Sequence, residues 1–478
     1  MWYPRRAQWC EAARYSDHRR AVGRDEKPMS LLTKQINVAL VHLGCARNLI
    51  DSENILGHLG AGGYALTGDV EQADVAILNT CSFIGPARDE SEAAINDLLE
   101  AKRSQNLRGV IVAGCLPEKF RDEVVGKFPD VDAFLGLSDY SNVARIVEDV
   151  LKGRKVNELS GGRAPQGQGE FLRLLQTPRS YAYLRPSHGC DHNCAFCIIP
   201  KIRGNQSSKP IKAVVEETQL LVEKGVREIN LVAEDTTGYG KDFGRGAVRL
   251  PELVEAMAQV DGLKWLRVMY AYPNNFPWRL TEVMNQYDNV LPYLDIPTQH
   301  IATPVLKRMS RGGTSESVRR IMTRLRDEVP GVALRTTVLV GHPGEGRAEF
   351  EELLEWMKEF RFERLGAFTF SPEANTPSGD DADRCSHEEA LGRYAELMEL
   401  QSEIHADFQQ GLVGKTTTVL IDDAAGETAT GRTWADAPEV DGVVKIDDPQ
   451  HNLSTGAMVE ATIISADGYD LRAELAGH

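Results

Sequence analysis

This 478-residue chain is informative first for what it lacks. No uninterrupted apolar run approaches the roughly 18 residues that span a bilayer. Its N-terminus lacks the apolar stretch and small-residue cleavage site of a secretory signal, so a cytoplasmic location is expected. Cysteine is scarce: eight residues are too sparse for a disulfide framework, which a reducing compartment would disfavour anyway. A basic surplus is also missing. With 54 Lys and Arg against 70 Asp and Glu, the formal charge is −16. That argues against binding nucleic acid over a broad surface, which needs a basic face, and suits a cationic partner. The 42% hydrophobic and 26% charged content is that of a soluble globular protein. The length exceeds what one ordinary core organises, so several domains are expected.

What is present sorts into five stretches. Residues 1–34 form a poorly patterned, Arg-rich extension (Arg5, Arg6, Arg14, Arg19, Arg20, Arg24) to which no function is given. Met29 is an alternative start, and Glu11, Asp17, Asp25 and Glu26 break the acid-poor pattern of a transit peptide. Over residues 35–156, the runs "INVALVHLGC", "DVAILNTCS", "GVIVAGC" and "AFLGLS" read as buried strands alternating with helices, a small α/β domain with a parallel sheet. Residues 157–180, which include the polar, Gly-rich "SGGRAPQGQGE", read as a linker. Residues 181–410 carry six strand–helix repeats, "YAYLRPS", "EINLVAE", "WLRVMYAYP", "PYLDIP", "VALRTTVLVG" and "RLGAFTF". They suit a partial, TIM-like (β/α)6 barrel closed by the amphipathic run from His387 to Gln410. Residues 411–478 switch to short strands with Gly and Asp turns, a small all-β barrel of the oligonucleotide-binding type. It holds twelve acids against four bases, a poor match for RNA phosphates.

Six of the cysteines fall in two groups of three, whereas Cys10 and Cys385 stand alone. Cys190, Cys194 and Cys197 lie in "HGCDHNCAFCIIP", a spacing that lets one loop wrap a face of an iron–sulfur cluster, each soft thiolate meeting its own iron. The loop follows the strand "YAYLRPS", at the C-terminal mouth where barrel active sites gather, and Phe196 is placed to wall a ligand there. A zinc knuckle is the alternative, but it needs a second ligand pair, and the remaining cysteines contain no CxxC. Cys45, Cys81 and Cys115 each end a separate strand of the first α/β domain. In an open parallel sheet the carboxyl ends of the strands border the ligand crevice, so three residues far apart in sequence are expected to converge on a second cluster. The alternative is that each is a small buried apolar residue.

The 190–197 triad, with an aromatic before its last cysteine, resembles the radical S-adenosylmethionine superfamily. That resemblance implies a 4Fe-4S cluster whose fourth iron binds the amino and carboxylate groups of S-adenosylmethionine. It further implies that Glu234 accepts from the methionine amino group, that the loop "RTTVLVGHPGE" with Gly341, Pro343 and Gly344 flanks the cofactor, and that Arg335 and Thr336 reach its carboxylate or ribose. With the second triad and the terminal β-barrel, the chain from about residue 36 to 478 is similar to the methylthiotransferases. The stretches "LGCARNLIDSE", "HGCDHNCAFCIIPKIRG" and "LPYLDIPTQHIATPVLKRMSRGG" most resemble the subfamily that modifies a ribosomal protein. For this subfamily a TRAM-like terminal barrel is implied. Glu234, Thr298 and His342 stand where that pattern commonly has Gln, Leu and Phe.

The resemblance implies two 4Fe-4S clusters and two S-adenosylmethionine molecules, one a methyl donor and one a radical source. It implies as substrate an aspartate of the twelfth small-subunit ribosomal protein, converted to 3-methylthioaspartate. A low-potential electron donor such as flavodoxin or ferredoxin and a sulfur donor are implied as partners, with no membrane and RNA contact only through the ribosome. The acidic terminal barrel suits a basic protein substrate. Two rivals stay open: a tRNA methylthiotransferase acting on modified adenosine, against which Gln299-His300 and the acidic barrel speak, and a non-catalytic iron–sulfur or electron-transfer protein.

Overall fold

The computed structural model describes residues 8–9, 35–104, 107–161 and 170–477. The expected extension over 1–34, apart from Gln8–Trp9, and most of "SGGRAPQGQGE" lie outside the described residues. Two compact units emerge. One comprises the described part of 5–164 with 172–176, and the other comprises 170–171 and 177–477.

The N-terminal unit is built on one sheet. Its strands are β1 (Gln8–Trp9), β2 (Asn37–His42), β3 (Ala65–Thr67), β4 (Val75–Thr80), β5 (Gly109–Gly114), β6 (Ala133–Leu135) and β7 (Val156–Glu158). All pair in parallel except β1, which runs antiparallel to β2. Every residue of β4 and β5 is buried, as expected where helices cover both faces of a parallel sheet. The four strands expected here are present. β3 and β7 add two three-residue strands whose half-exposed sequences carry little apolar periodicity.

The second unit opens with β8 (Tyr181–Leu184), followed by the small hairpin β9 (Ser187–His188) and β10 (Ser207–Ser208). The remaining barrel strands are β11 (Glu228–Leu231), β12 (Trp265–Val268), β13 (Val290–Asp295), β14 (Ala333–Val340) and β15 (Arg364–Thr369). The six parallel strands run in sequence order from β8 to β15 without closing, the partial barrel expected. The helix His387–Gln410 follows, with the Ser386 hydroxyl accepting from Glu389 N at 3.1 Å as its N-cap. Gln401 of this helix donates to Phe362 O (3.0 Å) and Gln409 to Tyr469 O (2.7 Å), so it ties the partial barrel to the terminal one. β16 (Thr416–Asp423), β17 (Thr428–Arg432), β18 (Val444–Asp447), β19 (Met458–Asp467) and β20 (Asp470–Leu475) close into a five-stranded barrel around Val419, Ile421, Val444, Ile446, Ile463 and Leu471. β18 and β20 pair in parallel.

The loop after β17 meets the N-terminal ends of the partial-barrel strands. Glu439 accepts from Tyr181 (3.2 Å) and Tyr183 (3.3 Å), Asp441 accepts from Tyr293 (2.7 Å), and Asp436 pairs with Arg364. Asp448 instead accepts from Asn452 N and Leu453 N within its own loop. A good part of the acidic surplus read from the sequence is therefore consumed inside the unit. The acids left facing solvent are Asp423, Glu427, Asp447, Glu460, Asp467 and Glu474, and Glu439 is exposed as well beside its two tyrosine bonds. Among the described residues no helix is long and apolar enough to cross a membrane.

Candidate active site

The cysteine loop grows from the C-terminal end of β8. Gly189 turns it with φ +71°, and a Cβ there would sit 2.4 Å from Asn205 O and 2.5 Å from Gly204 O, so only glycine fits. Cys190 N then donates to Gly204 O (3.1 Å), Cys197 N to Cys194 O (3.0 Å) and Ala195 N to Met309 O (2.8 Å). These bonds fold the three thiols together, with Cys194 buried and Cys190 and Cys197 partly so. Burial first, then Asp235 and the other two thiols, pushes the Cys190 thiol up to about 12. A cation must displace its proton before it acts as a thiolate.

The loop is held from the end of β11. His192 Nε2 donates to Asp235 Oδ2 at 2.8 Å, and the His192 ring stacks on Tyr272 with centroids 3.7 Å apart. Burial alone would raise the Asp235 pKa, but the bonds from His192 and Thr237 overcome it and hold the carboxyl below its ordinary value. The neighbouring Glu234 has no such hydrogen bonds. Its side chain is 2% exposed, both carboxylate oxygens lack a hydrogen-bond partner, and Arg203 Nε stands 3.6 Å away. Buried carboxylates rarely go unbonded. One that does so beside a three-thiol loop suits the ammonium of a bound ligand.

Phe196 packs into an apolar cluster with Ala302, Val305, Met309, Leu339 and Phe370. His342 meets Phe196 edge-on (6.1 Å, 82°). Its Nδ1 donates to Pro343 O (2.9 Å) and its Nε2 accepts from Ser378 Oγ (2.8 Å), while Ser378 N donates to Ala195 O (2.9 Å). Burial lowers the His342 pKa to about 4, so it is a neutral bridge between the end of β14 and the cysteine loop. Gly341 has φ +75°, packs against Ala390 and donates its N–H to Glu345. Arg335 and Thr336 are engaged elsewhere. Arg335 pairs with Asp295 (3.0 Å) and lies 3.5 Å from Asp441. Asp441 belongs to the loop that meets Tyr181 at the start of β8, the end opposite the cysteines. The charge read as reaching for a ligand carboxylate is thus taken up by two carboxylates of the protein. Thr336 Oγ1, fully buried, donates to Ile296 O (2.9 Å) and contacts Thr298 Oγ1 (2.9 Å).

In the N-terminal unit, strand register sets the second triad. His42 aligns with Asn79, and Thr80 with Gly114. Cys45, Cys81 and Cys115 follow these positions on three adjacent parallel strands. Cys45 precedes the helix Ala46–Ala61 and Cys115 opens the helix Cys115–Phe120. Gly44 (φ +109°) is so close that an added Cβ would lie 3.4 Å from Cys81 Sγ. Gly114 (φ +97°) would place a Cβ 2.3 Å from Asn79 Oδ1. Below the rim, Asn79 donates to Asn48 O (2.9 Å) and Ser52 Oγ (2.8 Å), and Ser91 Oγ donates to Cys81 O (2.7 Å). These polar residues escape a reading by hydrophobic pattern. The one signal available was the Gly-Cys dipeptide, which occurs at Cys45, Cys115 and Cys190. Among the described residues no three Cys, His, Asp or Glu side chains close on one metal ion.

Three stretches match known families: residues 37–136 the Uncharacterized protein family UPF0004, 184–357 the Radical SAM superfamily and 413–476 the TRAM domain. The chain is 40% identical over 441 residues to the ribosomal protein uS12 methylthiotransferase RimO of Geotalea uraniireducens, covering 92% of this chain and 98% of that protein. It is 41% identical over 443 residues to the RimO of Anaeromyxobacter sp., covering 91% and 92%. Among solved structures it resembles the radical S-adenosylmethionine methyltransferase TsrM from Kitasatospora setae with cobalamin and a 4Fe-4S cluster bound. The TM-score is 0.52 at 15% identity over 88% of this chain and 84% of that one, a likeness of fold.

Proposed function

Because this chain belongs to the RimO family of ribosomal protein uS12 methylthiotransferases, we propose that it inserts a methylthio group at the β-carbon of an aspartate of uS12, forming 3-methylthioaspartate. The observation that carries the reading is the pair of three-thiol sets, one at the strand ends of each unit. Cys190, Cys194 and Cys197 would hold a cluster that, with S-adenosylmethionine, would supply a carbon-centred radical, and Cys45, Cys81 and Cys115 would hold one offering a site for the sulfur, S-adenosylmethionine serving as both methyl donor and radical source.

The protein's own part is positioning and exclusion, since acid–base side chains do not break an unactivated C–H bond. Glu234 would accept from the methionine ammonium and so orient the cofactor. Phe196, held by the apolar cluster and His342, forms a wall that keeps water from a reactive radical. Gly341 and Pro343 would shape the loop that borders the cofactor. The solvent-facing acids Asp423, Glu427, Asp447, Glu460, Asp467 and Glu474 orient a basic ribosomal protein. Electrons come from a low-potential donor such as flavodoxin or ferredoxin, and sulfur from a separate donor.

Anaerobic reconstitution followed by chemical reduction in the presence of S-adenosylmethionine and uS12 tests this. The expected result is 5′-deoxyadenosine together with uS12 carrying one methylthio group mapped to an aspartate. A product on tRNA instead of uS12 transfers the activity to the nucleic-acid branch, and absence of 5′-deoxyadenosine reduces the chain to an iron–sulfur scaffold. Glu234→Ala is expected to weaken S-adenosylmethionine binding about ten- to a hundredfold, the worth of one hydrogen bond to a charged group, ~1.5–3 kcal/mol. Equilibrium dialysis at unchanged iron content reads it, and Glu234→Gln, which keeps an acceptor, should lose less.

A further inference from the structure

Arg311 is 8% exposed and lies just after the helix Thr303–Arg308. Its Nη1 donates to Cys194 Sγ at 3.4 Å and its Nη2 to Pro297 O. The guanidinium lies 4.3 Å from the centre of the Tyr272 ring, the same ring on which His192 stacks. The Arg311 carbonyl accepts from the Tyr272 hydroxyl and from Asn274 Nδ2 (2.9 Å), so both ends of the residue are fixed. Its Nε is buried without a partner. Arg308 and Arg319 on either side form ion pairs with carboxylates, whereas Arg311 faces a cysteine sulfur. A buried cation requires an anion to balance it, and a thiolate-ligated cluster is an anion.

We propose that Arg311 is the counter-charge of the radical-generating centre, donating to Cys194 Sγ and raising the reduction potential of the cluster on Cys190, Cys194 and Cys197. The inference rests on the function proposed above. Reduction adds one electron from the external donor and makes the cluster more negative, and a fixed cation on a ligand sulfur stabilises that state. Hydrogen bonds to sulfur, net charge and solvent exposure are the levers that set such potentials. Arg311 supplies the first two and helps to limit the third.

The test is a spectroelectrochemical titration of the full chain in which Cys45, Cys81 and Cys115 are replaced by Ala, so that one cluster titrates. At a poise where half the parent cluster is reduced, Arg311→Met and Arg311→Gln should each lower the reduced-to-oxidised ratio about tenfold, 59 mV for one electron. Arg311→Lys, which keeps the charge and a donor, should restore most of it. If Arg311→Met fails to hold iron, Arg311→Gln carries the test. A parent-like ratio in the neutral variants, or loss of iron from both, overturns the proposal, the latter because assembly and not potential then depends on Arg311. A parent that takes up no cluster instead overturns the reading on which the proposal rests.

Discussion

Replacing Cys45, Cys81 and Cys115 together by Ala is expected to lower the iron content of the reconstituted chain from about eight to about four and to abolish methylthio transfer while leaving 5′-deoxyadenosine formation in place. The three residues sit on adjacent strand ends of a unit that carries none of the 190–197 loop, so their loss removes one cluster and spares the other. Fold damage should be small. Cys81 and Cys115 are buried, and trimming each to Ala removes only a sulfur from a rim already braced by Asn79, Asn48 and Ser91. The complementary replacement of Cys190, Cys194 and Cys197 should also halve the iron, yet eliminate both products, because no radical can then form. Iron and sulfide counts with product chromatography read both variants. If the first variant retains eight irons, the strand-end cysteines are merely packed, and sulfur delivery has to be sought elsewhere. If it loses 5′-deoxyadenosine as well, the two sites do not divide the chemistry as proposed.

How much of this was legible in the sequence depends on the range over which each feature is specified. The six barrel strands and five terminal strands announce themselves locally, through buried apolar runs and turn residues. β3 and β7 do not, because three half-exposed residues carry no period. The cysteine triads are legible for a related reason: one is compressed into eight residues, and the other repeats the same place at three strand ends. The roles of charged residues were less accessible. Arg335 and Asp441 are remote in sequence yet 3.5 Å apart, a pairing that no local pattern announces. Arg311 is not legible in the sequence because its partner is a cysteine sulfur, a pairing that charge patterns along the chain cannot disclose. Glu234, after β11, is buried with neither oxygen hydrogen-bonded and with Arg203 Nε 3.6 Å away, a setting that no local pattern announces.

The junction between the partial barrel and the terminal barrel should be the most sensitive point of the second unit, and Glu228→Ala is expected to destabilise it by about 3–5 kcal/mol, the cost of breaking a buried ion pair from one side. Glu228 accepts from Arg267 Nε (2.8 Å) and from Arg432 Nη1 (2.6 Å), and all three side chains are at most 2% exposed. Arg432 also pairs with Asp422, while Arg267 donates to Trp434 O (2.7 Å) and lies 4.4 Å from the Tyr293 ring centre. Removing the carboxylate leaves Arg267 with no carboxylate partner in this network and Arg432 with half of its own. Against a total of about 5–15 kcal/mol for a typical domain, such a loss should appear as a large drop in the denaturation midpoint. Because Glu228 and Arg267 lie on β11 and β12 while Arg432 ends β17, the loss falls on the docking of one barrel on the other. Proteolysis within the 433–441 loop should therefore accelerate before the cysteine loop loses iron. Glu228→Gln, which keeps one acceptor, loses the charge and turns an NH2 donor toward one of the arginines, should recover only part of the loss. Acid should act in the same direction as the mutation. Burial raises the Glu228 pKa, but the two arginines overcome it and hold the pKa below the ordinary carboxylate value. Its stabilisation is thus complete above the unfolded pKa and lost as pH falls through the depressed one. A Glu228→Ala chain with an unchanged midpoint at neutral pH would mean that water or Asp422 already compensates both arginines, and that the terminal barrel is held mainly by the helix His387–Gln410.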